Sequence, residues 1–329
     1  MTTTDPANTS ISRRDYFYPL PHPLVPGTPV PYSLGLPTTN PLNLPEKPVE
    51  PTHTLVLTSS RKQFVDVRVF RPILPLDPEL PNEGGPRARL DWAFAGSSTS
   101  TPIPDPHPHG VIEKPSTAHR HPEHHRTWPA PITRASWTHW LDSRHPLPAH
   151  LSPSHDASTI PKDEGTMYPL NATQTLECGE GINPSTGNMW SYEEFWTDLP
   201  VEVTPSLDDP DPPKFSIVLR LDTPEHAVRG VVIRLGAFCQ GVVVKGDYVS
   251  VERWEWRQRE GKGEVGEQGE WKRTVRIGDQ FLPCTMTFKP ELLAEGGTVK
   301  YWDYVWQCEE RVAWRETVEV AEGVDSLDD

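Results

Sequence analysis

The feature that most constrains the fold is a strand pattern that occurs twice in the chain. Residues 54–70 hold two short apolar runs separated by a polar turn, and residues 216–235 repeat this plan. Each copy is followed by an aromatic segment that ends in glycine, at 92–96 and at 236–241. Alternation of apolar and polar residues is typical of half-buried strands, whereas a helix needs apolar residues every three or four positions. Two copies of one β-rich module therefore predict a duplicated barrel.

The best single strand signal lies in the first copy. Val65, Val67 and Val69 alternate with charged residues, which predicts a strand with one buried face, and residues 54–58 are its expected antiparallel neighbour. In the second copy, strands at short intervals are predicted between 215 and 320, with almost no helical periodicity. Several short strands in this arrangement indicate an all-β sandwich or barrel.

Proline-rich and low-complexity segments predict the domain boundaries. Residues 1–50 are predicted to be disordered, because 11 prolines fall within 19–51 and proline lacks the N–H donor of a central strand. Residues 51–157 are predicted to form a first barrel, with a histidine-rich insertion at 97–131. Residues 158–329 are predicted to form a second barrel.

Composition excludes several partners. The chain has 329 residues, enough for two domains, and its 46 acidic and 31 basic residues give a net charge of −15. This charge repels the phosphates of nucleic acids and anionic membrane surfaces, so neither is an expected partner. Because no run approaches the roughly 18 apolar residues of a membrane span, we also expect no direct membrane insertion. These observations favour a soluble cytosolic or nuclear protein.

Histidines and cysteines are the candidate metal ligands, and neither group has a metal-site spacing. Six histidines lie in the insertion at 97–131: His107, His109, His119, His121, His124 and His125. Prolines interrupt them at irregular intervals, so a solvated loop is favoured over a metal site. The cysteines form no C-x-x-C pair and are expected to be reduced structural thiols: Cys178, Cys239, Cys284 and Cys308. We therefore expect no metal and no cofactor.

No catalytic motif stands out. A glycine-rich phosphate loop between a strand and a helix, Gly-x-Ser-x-Gly and His-Glu-x-x-His are all absent from the sequence. Glu193 and Glu194 lie between Trp190 and Trp196 and form the best candidate pocket edge, but adjacent acids point in different directions in a strand. His139 is interpreted as a hydrogen-bonded barrel residue. We therefore expect no enzyme; the alternative is a barrel enzyme that uses Glu193, Glu194 or His139.

The aromatic residues allow two interpretations. They can fill a closed barrel, which is the favoured interpretation, or they can line a ligand cavity, since an eight-stranded barrel has room for side chains or one small ligand. Residues 298–308 are predicted to form one strand with Trp302, Tyr304 and Trp306 on the same face. The candidate ligand-binding residues are Trp196, Trp254, Trp302 and Tyr304. The corresponding function is a carrier of a small apolar ligand inside a β-barrel.

An ordered set of short segments resembles a small fungal family, the Hri-type family, named for interaction with a yeast casein kinase I homologue. None of the segments is diagnostic alone, but together they occur in the family's order over most of the expected ordered chain. The segments are 54–59, 64–68, 92–96, 140–143, 165–169, 193–196, 216–219 and 231–241.

The resemblance implies two lipocalin-like β-barrels in tandem, in a cytoplasmic and nuclear protein without established catalysis. It implies two protein partners, the casein kinase I homologue and a cytosolic-facing subunit of the ER translocation complex, and it supplies no catalytic residues. Combined with the absence of catalytic motifs, it favours a non-enzymatic protein-interaction module. Its partners are expected to dock on the loops at 19–51, 97–131 and 202–213, because loops on a rigid β scaffold often carry binding functions.

Overall fold

The computed structural model describes residues 6–36, 38–106, 127–148, 160, 162–205, 209–258 and 269–315. Strands joined by turns and short 3-10 segments make up its regular structure. The strands, in chain order, are β1 (Ser10–Leu20), β2 (Thr52–Thr58), β3 (Gln63–Phe70), β4 (Leu90–Pro102), β5 (Thr133–Asp142), β6 (Asp163–Pro169), β7 (Gln174–Ile182), β8 (Met189–Leu199), β9 (Lys214–Thr223), β10 (Val228–Leu235), β11 (Phe238–Lys245), β12 (Tyr248–Arg257), β13 (Glu270–Ile277), β14 (Thr298–Tyr301) and β15 (Tyr304–Trp314). Within the described residues, no helix is long and apolar enough to cross a membrane.

Strands β1 to β8 form a closed antiparallel barrel in which each strand pairs with its neighbours in the sequence. The ring closes where β1 pairs with β8, from Ile11 opposite Leu199 to Leu20 opposite Ser191. The predicted pairing of the first strand signal is confirmed, since β2 pairs antiparallel with β3 along its whole length. Closure leaves this sheet without an unpaired edge.

The remaining strands form an open sheet in the order β13-β12-β11-β10-β9-β15-β14. Its two edge strands, β13 and β14, are not paired with each other, so the all-β prediction is confirmed but a second closed barrel is not found among the described residues. The loop before β4 follows the β13 edge, where the N–H of Arg276 donates to the carbonyl of Pro81 (2.8 Å) and the N–H of Gly278 to that of Gly85 (3.1 Å).

The barrel and the open sheet pack face to face through apolar side chains. Alternate residues of β2 and β3 point out of the barrel into one buried cluster with residues of β10 and β11: Leu55, Leu57, Val65, Val67, Val231, Ile233, Val242 and Val244. Because side chains alternate across a strand, the residues between them on β2 and β3 must face the barrel interior. The polar face of β3 therefore lies inside the molecule.

Hydrogen bonds also cross this interface. The buried side chain of Gln240 donates through Nε2 to the carbonyls of Leu55 (2.7 Å) and Val65 (2.9 Å), and Arg253 donates through Nη2 to the carbonyl of Val67 (2.8 Å). These donors come from the open sheet and the acceptors from the barrel. The two layers are thus joined by directional bonds as well as by apolar contact.

The other face of the open sheet is covered by the segment between β13 and β14. A second buried cluster there joins strand residues such as Leu219, Val232 and Trp306 to Leu282 and Cys284 of that segment. All four cysteines are free, and all but Cys178 are buried. Both faces of this sheet are therefore covered by apolar side chains.

The strand arrangement differs from the predicted domain boundaries. The predicted first barrel, 51–157, supplies only β2–β5 of the described strands, and closure uses β1 from the N-terminal segment and β6–β8 from beyond residue 158. The change from barrel to open sheet falls between Leu199 and Lys214. The proline-rich linkers suggested the boundary, but hydrogen bonding around the ring sets it.

The proline-rich segment also differs from the predicted disorder. It follows the outer surface of the barrel, where Tyr32 is fully buried and packs in one cluster with Tyr18 and Leu20 of β1. The N–H of Phe17 donates to the carbonyl of Val49 (3.1 Å). We call residues 21–36 and 38–50 the strap. Proline-rich chain can be ordered in this way because aromatic side chains and single hydrogen bonds hold it without a strand ladder.

Candidate functional site

The barrel interior contains a cavity of about 310 Å³. Its mouth includes the exposed residues Lys62, Thr99 and Ser100, and its wall includes hydroxyl-bearing and aromatic side chains. The buried side chains of Asp66, Arg68, Phe64, Phe94, Glu177 and Trp196 lie at its inner end. The cavity therefore extends from solvent to a charged floor inside the ring of strands.

Two buried arginines organise the charges near this floor. Arg68 donates through Nε and Nη2 to Oδ2 of Asp66 (3.0 and 2.9 Å) and through Nη1 to Oε1 of Glu194 (3.3 Å). Arg14 also donates to Oε1 of Glu194, and its Nε donates to Oε2 of Glu50 (2.8 Å). Buried charges of this kind are tolerated only when they are paired and hydrogen bonded.

Glu177 is the carboxyl group most affected by its surroundings. Burial, followed by the negative charges of Glu194 and Asp163, raises its pKa well above the usual range, although Arg68 opposes the shift. Its Oε2 accepts a hydrogen bond from Nε1 of Trp196 (2.9 Å). A carboxyl group in this environment takes up a proton more readily than one in water.

Two glycines make room for the large polar side chains of the interior. A Cβ on Gly165 of β6 would lie 2.6 Å from Cγ of Glu177, and a Cβ on Gly179 of β7 would lie 2.5 Å from the hydroxyl of Tyr192. That hydroxyl donates to Oδ1 of Asp163 (3.1 Å). The carboxyl cluster thus depends on the absence of side chains at these two positions.

Asp66 has an acceptor oxygen that the described residues leave unpaired. Its Oδ2 is held by Arg68, whereas its buried Oδ1 has no hydrogen-bond partner among the described residues. Burial raises the pKa of this carboxyl group more than Arg68 lowers it. An unpaired buried acceptor is costly, which makes Asp66 a functional candidate at the cavity floor.

The two adjacent glutamates face opposite sides of β8. Glu194 points into the barrel toward the two arginines, whereas Glu193 points outward and is covered by the strap. Oε2 of Glu193 accepts from the N–H of Tyr32 (2.7 Å), and its Oε1 accepts from the Ser33 hydroxyl. Burial raises the pKa of Glu193, while these hydrogen bonds partly offset the shift. The pair therefore does not form one acid–base site.

His139 belongs to a separate buried group. Its Nδ1 lies 2.9 Å from Oδ2 of Asp142, and its ring stacks on Phe94 at 4.3 Å. Burial alone would raise the pKa of Asp142, but hydrogen bonds from His139, from the N–H of Arg144 and from Trp92 lower it below its usual value. His139 thus fixes the end of β5 and does not line the cavity.

The four aromatic candidates are not brought together. Trp196 lines the cavity. Trp254 and Tyr304 pack against the far core of the open sheet, and Trp254 donates through Nε1 to Oε2 of Glu252 (2.9 Å). Trp302 is 70% exposed in the turn between β14 and β15, with a φ of 52°. The prediction of one strand over 298–308 is therefore wrong, because a tight hairpin turn separates Tyr301 from Tyr304.

The described residues hold no group of three or more His, Cys, Asp or Glu side chains arranged to bind a metal ion. The six histidines of the insertion lie outside the described residues, within 107–126. Sequence reasoning missed Arg14, Asp66, Arg68, Asp163 and Glu177 as a group. The sequence signal was the charged residues Asp66 and Arg68, which alternate with the valines of β3. They lie inside the barrel because the valine face of β3 packs against the second sheet.

The fold has a counterpart among solved structures. The crystal structure of the uncharacterized protein YLR301w from Saccharomyces cerevisiae matches with a TM-score of 0.53 and 18% identity, covering 93% of this chain and 100% of that one. At this identity the likeness concerns the fold alone. The search of curated proteins found no match.

The family comparison covers both layers of the molecule. The family model described as Protein HRI1 matches residues 37–310, from the strap through most of β15. This range includes β2–β8 and the whole open sheet except the end of its last strand. The chain therefore belongs to the HRI1 protein family.

Proposed function

We propose that the β1–β8 barrel binds a small molecule in its interior. The observation that carries this proposal is the cavity of about 310 Å³, which reaches from an exposed mouth to a charged floor inside a closed ring of strands. Ligand pockets commonly start near 300 Å³, and the interior of an eight-stranded barrel has room for one small ligand. The uninterrupted strand order also supports a lipocalin-like interpretation of this barrel.

The lining favours an amphipathic ligand over the purely apolar one expected from the aromatic pattern. Phe64, Phe94, Trp137 and Met167 supply apolar surface, whereas Asp66 and other buried polar groups form the floor. An apolar ligand would cover these polar groups without replacing their interactions with water, which is unfavourable. A molecule with one polar end and one apolar end fits both parts of the lining.

The role remains a proposed non-enzymatic one. The three candidate catalytic residues have different partners: Glu193 the strap, Glu194 the two arginines, and His139 Asp142. General acid–base catalysis needs such groups within reach of one substrate. Binding without turnover is the simpler use of this interior.

The direct test is native mass spectrometry of the gently purified chain beside the denatured mass of the same sample. We expect additional mass that disappears on denaturation. Ser98→Trp, which places a large ring at the cavity mouth, is expected to abolish it. Ser97→Trp is the matched control, because Ser97 is the exposed neighbour on β4 and does not line the cavity. Equal retained mass in both variants would place the ligand elsewhere and refute the proposal.

Protein recognition is a second candidate, favoured by an exposed aromatic pair. The rings of Phe281 and Trp302 stack at 6.3 Å, and the guanidinium of Arg276 lies 3.8 Å from the Phe281 ring centre. Exposed aromatic residues with arginine are typical of interface centres. The casein kinase I homologue and the ER translocation-complex subunit remain the proposed partners. Loss of their capture by Trp302→Ala, but not by Tyr248→Ala, would support this surface; equal capture would exclude it.

A further inference from the structure

The cavity lining has more carboxyl groups than cationic side chains. Among the residues that the structure describes, four carboxyl groups line the cavity, those of Asp66, Asp163, Glu177 and Asp198, against two cationic side chains, those of Lys62 and Arg68. Both cations already have partners in the protein. Lys62 donates through Nζ to the carbonyl of Asn8 (3.2 Å), and Arg68 is bound to Asp66 and Glu194.

The unused acceptor of Asp66 is an independent observation that points in the same direction. Asp66 is 2% exposed, and its Oδ1 has no partner among the described residues. It lies on the interior face of β3, between Val65 and Val67, which face the open sheet. A cationic donor at the cavity floor would satisfy this oxygen with a charge-assisted hydrogen bond.

Aromatic rings beside the carboxyl groups add a second attraction for a cation. Phe64, Phe94, Trp137 and Trp196 line the same cavity. The faces of such rings attract ammonium groups, and the rings also cover the apolar body of a ligand. An anion would meet four carboxyl groups, whereas a neutral molecule would leave the charge excess unchanged.

We propose that the barrel cavity binds a small molecule that carries a protonated amine on an aromatic or apolar body. This inference rests on the proposed function and names its ligand class. The ammonium group binds at the floor between Asp66, Asp163 and Glu177. The apolar body lies toward Trp137 and Met167.

Binding of a cation is linked to proton release from Glu177. The charged and titratable groups that face Glu177 come from three elements: Asp163 on β6, Tyr192 and Glu194 on β8, and Arg68 on β3. Arg14 on β1 and Asp66 on β3 act on this group through their ion pairs with Glu194 and Arg68. Burial, followed by the negative charges of Glu194 and Asp163, favours the protonated form of Glu177 in the empty barrel. A ligand cation reverses this effect, so affinity rises with pH while the amine stays protonated.

The test compares three probes of one shape on the full chain in an amine-free buffer: 2-phenylethylamine, 2-phenylethanol and phenylacetate. Isothermal titration calorimetry is expected to give at least tenfold tighter binding of the amine than of either other probe. Amine affinity is expected to rise three- to tenfold between pH 5.5 and 7.5. Equal or tighter binding of the alcohol or the acid would overturn the ligand class and leave the proposed function standing.

Two variants locate the interaction. Asp66→Asn is expected to weaken amine binding at least tenfold, and Glu177→Gln is expected to remove its pH dependence. Glu164→Gln is the control, because its carboxylate lies outside the barrel, where Oε2 accepts from Arg134 (3.0 Å). Thermal unfolding of each variant shows whether it is folded. A folded Asp66→Asn variant that binds the amine as tightly as the parent would overturn the site assignment.

Native mass spectrometry separates the two proposals. A retained molecule identified as an amine supports both. A retained molecule without a cationic group that Ser98→Trp excludes overturns the ligand class alone. A bare chain mass, together with no binding of any probe, overturns both.

Discussion

The barrel and the open sheet differ in what covers the two faces of their strands. The open sheet has apolar side chains on both faces, and its buried clusters fill the space on each side. The barrel has apolar residues on its outer surface toward that sheet and charged residues inside. We call the open sheet, which is packed on both faces, the solid layer, and the barrel, which encloses the cavity, the hollow layer. Both consist of antiparallel strands.

The difference indicates that the barrel is held together by strand pairing around the closed ring and does not need an interior filled with apolar side chains. A closed ring pairs the backbone of every strand on both sides, so its lumen can hold polar groups and space. An open sheet lacks this ladder at its edges and depends on packing. Substitutions in the sheet should therefore cost stability, whereas substitutions in the cavity should mainly change binding.

The largest effect is expected at the centre of the solid layer. Trp306 is 1% exposed, and its ring lies over Gly230, where a Cβ would come within 2.5 Å of it. Trp306→Ala should lower the free energy of unfolding by about 3–5 kcal/mol through lost burial and a new cavity. Urea unfolding followed by circular dichroism measures this loss. Trp302→Ala, in the same hairpin but exposed, is the control, and similar losses for both would contradict dense packing.

A smaller loss is expected where the two layers meet. The fully buried Glu310 of β15 accepts hydrogen bonds from Ser59, from Ser60, from the N–H of Arg61 and from Ser216. Glu310→Gln replaces one charged acceptor oxygen by a donor, at a cost of about 2–3 kcal/mol. Urea unfolding of Glu309→Gln, whose partly exposed side chain lies 3.6 Å from Arg220, provides the comparison. Equal stability of the two variants would show that this carboxylate does not join the layers.

The third prediction concerns pH. Because the pKa of Glu177 is raised in the folded state, its contribution to stability is complete below the unfolded pKa of about 4.3 and is lost as pH rises toward the folded value. Glu177→Gln removes this loss, so the variant should gain on the parent by up to about 1.4 kcal/mol per pH unit in that window. Chemical unfolding of both proteins from pH 5 to 8 tests it, and a constant difference across the range would refute it.

The smallest effect is expected in the hollow layer. Met167 lines the cavity and is half-buried, so Met167→Ala enlarges an existing space and removes few contacts. We expect a loss of about 1 kcal/mol or less, compared with the roughly 2–5 kcal/mol typical of a packed core position. Urea unfolding measures it beside Ile233→Ala in the solid layer. A loss as large as that of Ile233→Ala would mean that the interior is packed like a core.

The strand content could be predicted from the sequence because alternation is a local property. The period of β3 placed Val65, Val67 and Val69 on one buried face, and the structure confirms that face. Alternation does not tell whether the opposite face meets solvent or a lumen, so Asp66 and Arg68 were not recognised as site residues. Their environment depends on barrel closure, which no local pattern encodes.

The topology required information that is distant in the sequence. The two similar segments at 54–70 and 216–235 became β2–β3 and β9–β10, which lie in different sheets and pack against each other. Their similarity predicted the β-rich plan but also a duplicated barrel, whereas among the described residues β1–β8 form a closed ring and β9–β15 form an open sheet. The side chain of Glu177 fits inside the barrel because Gly165, its neighbour on β6, has no side chain. This relation appears only once β6 and β7 are paired.

The position of β1 has a consequence for the order of assembly. This strand lies between β2 and β8, so the ring joins Ser12 to Asp198 across 186 positions of the chain. During synthesis, the N-terminal strand leaves the ribosome long before its second neighbour exists. Contacts this distant are costly in chain entropy and slow to form. Until β8 has emerged, β1 can pair only with β2. Its other edge stays unpaired and can form hydrogen bonds with another chain.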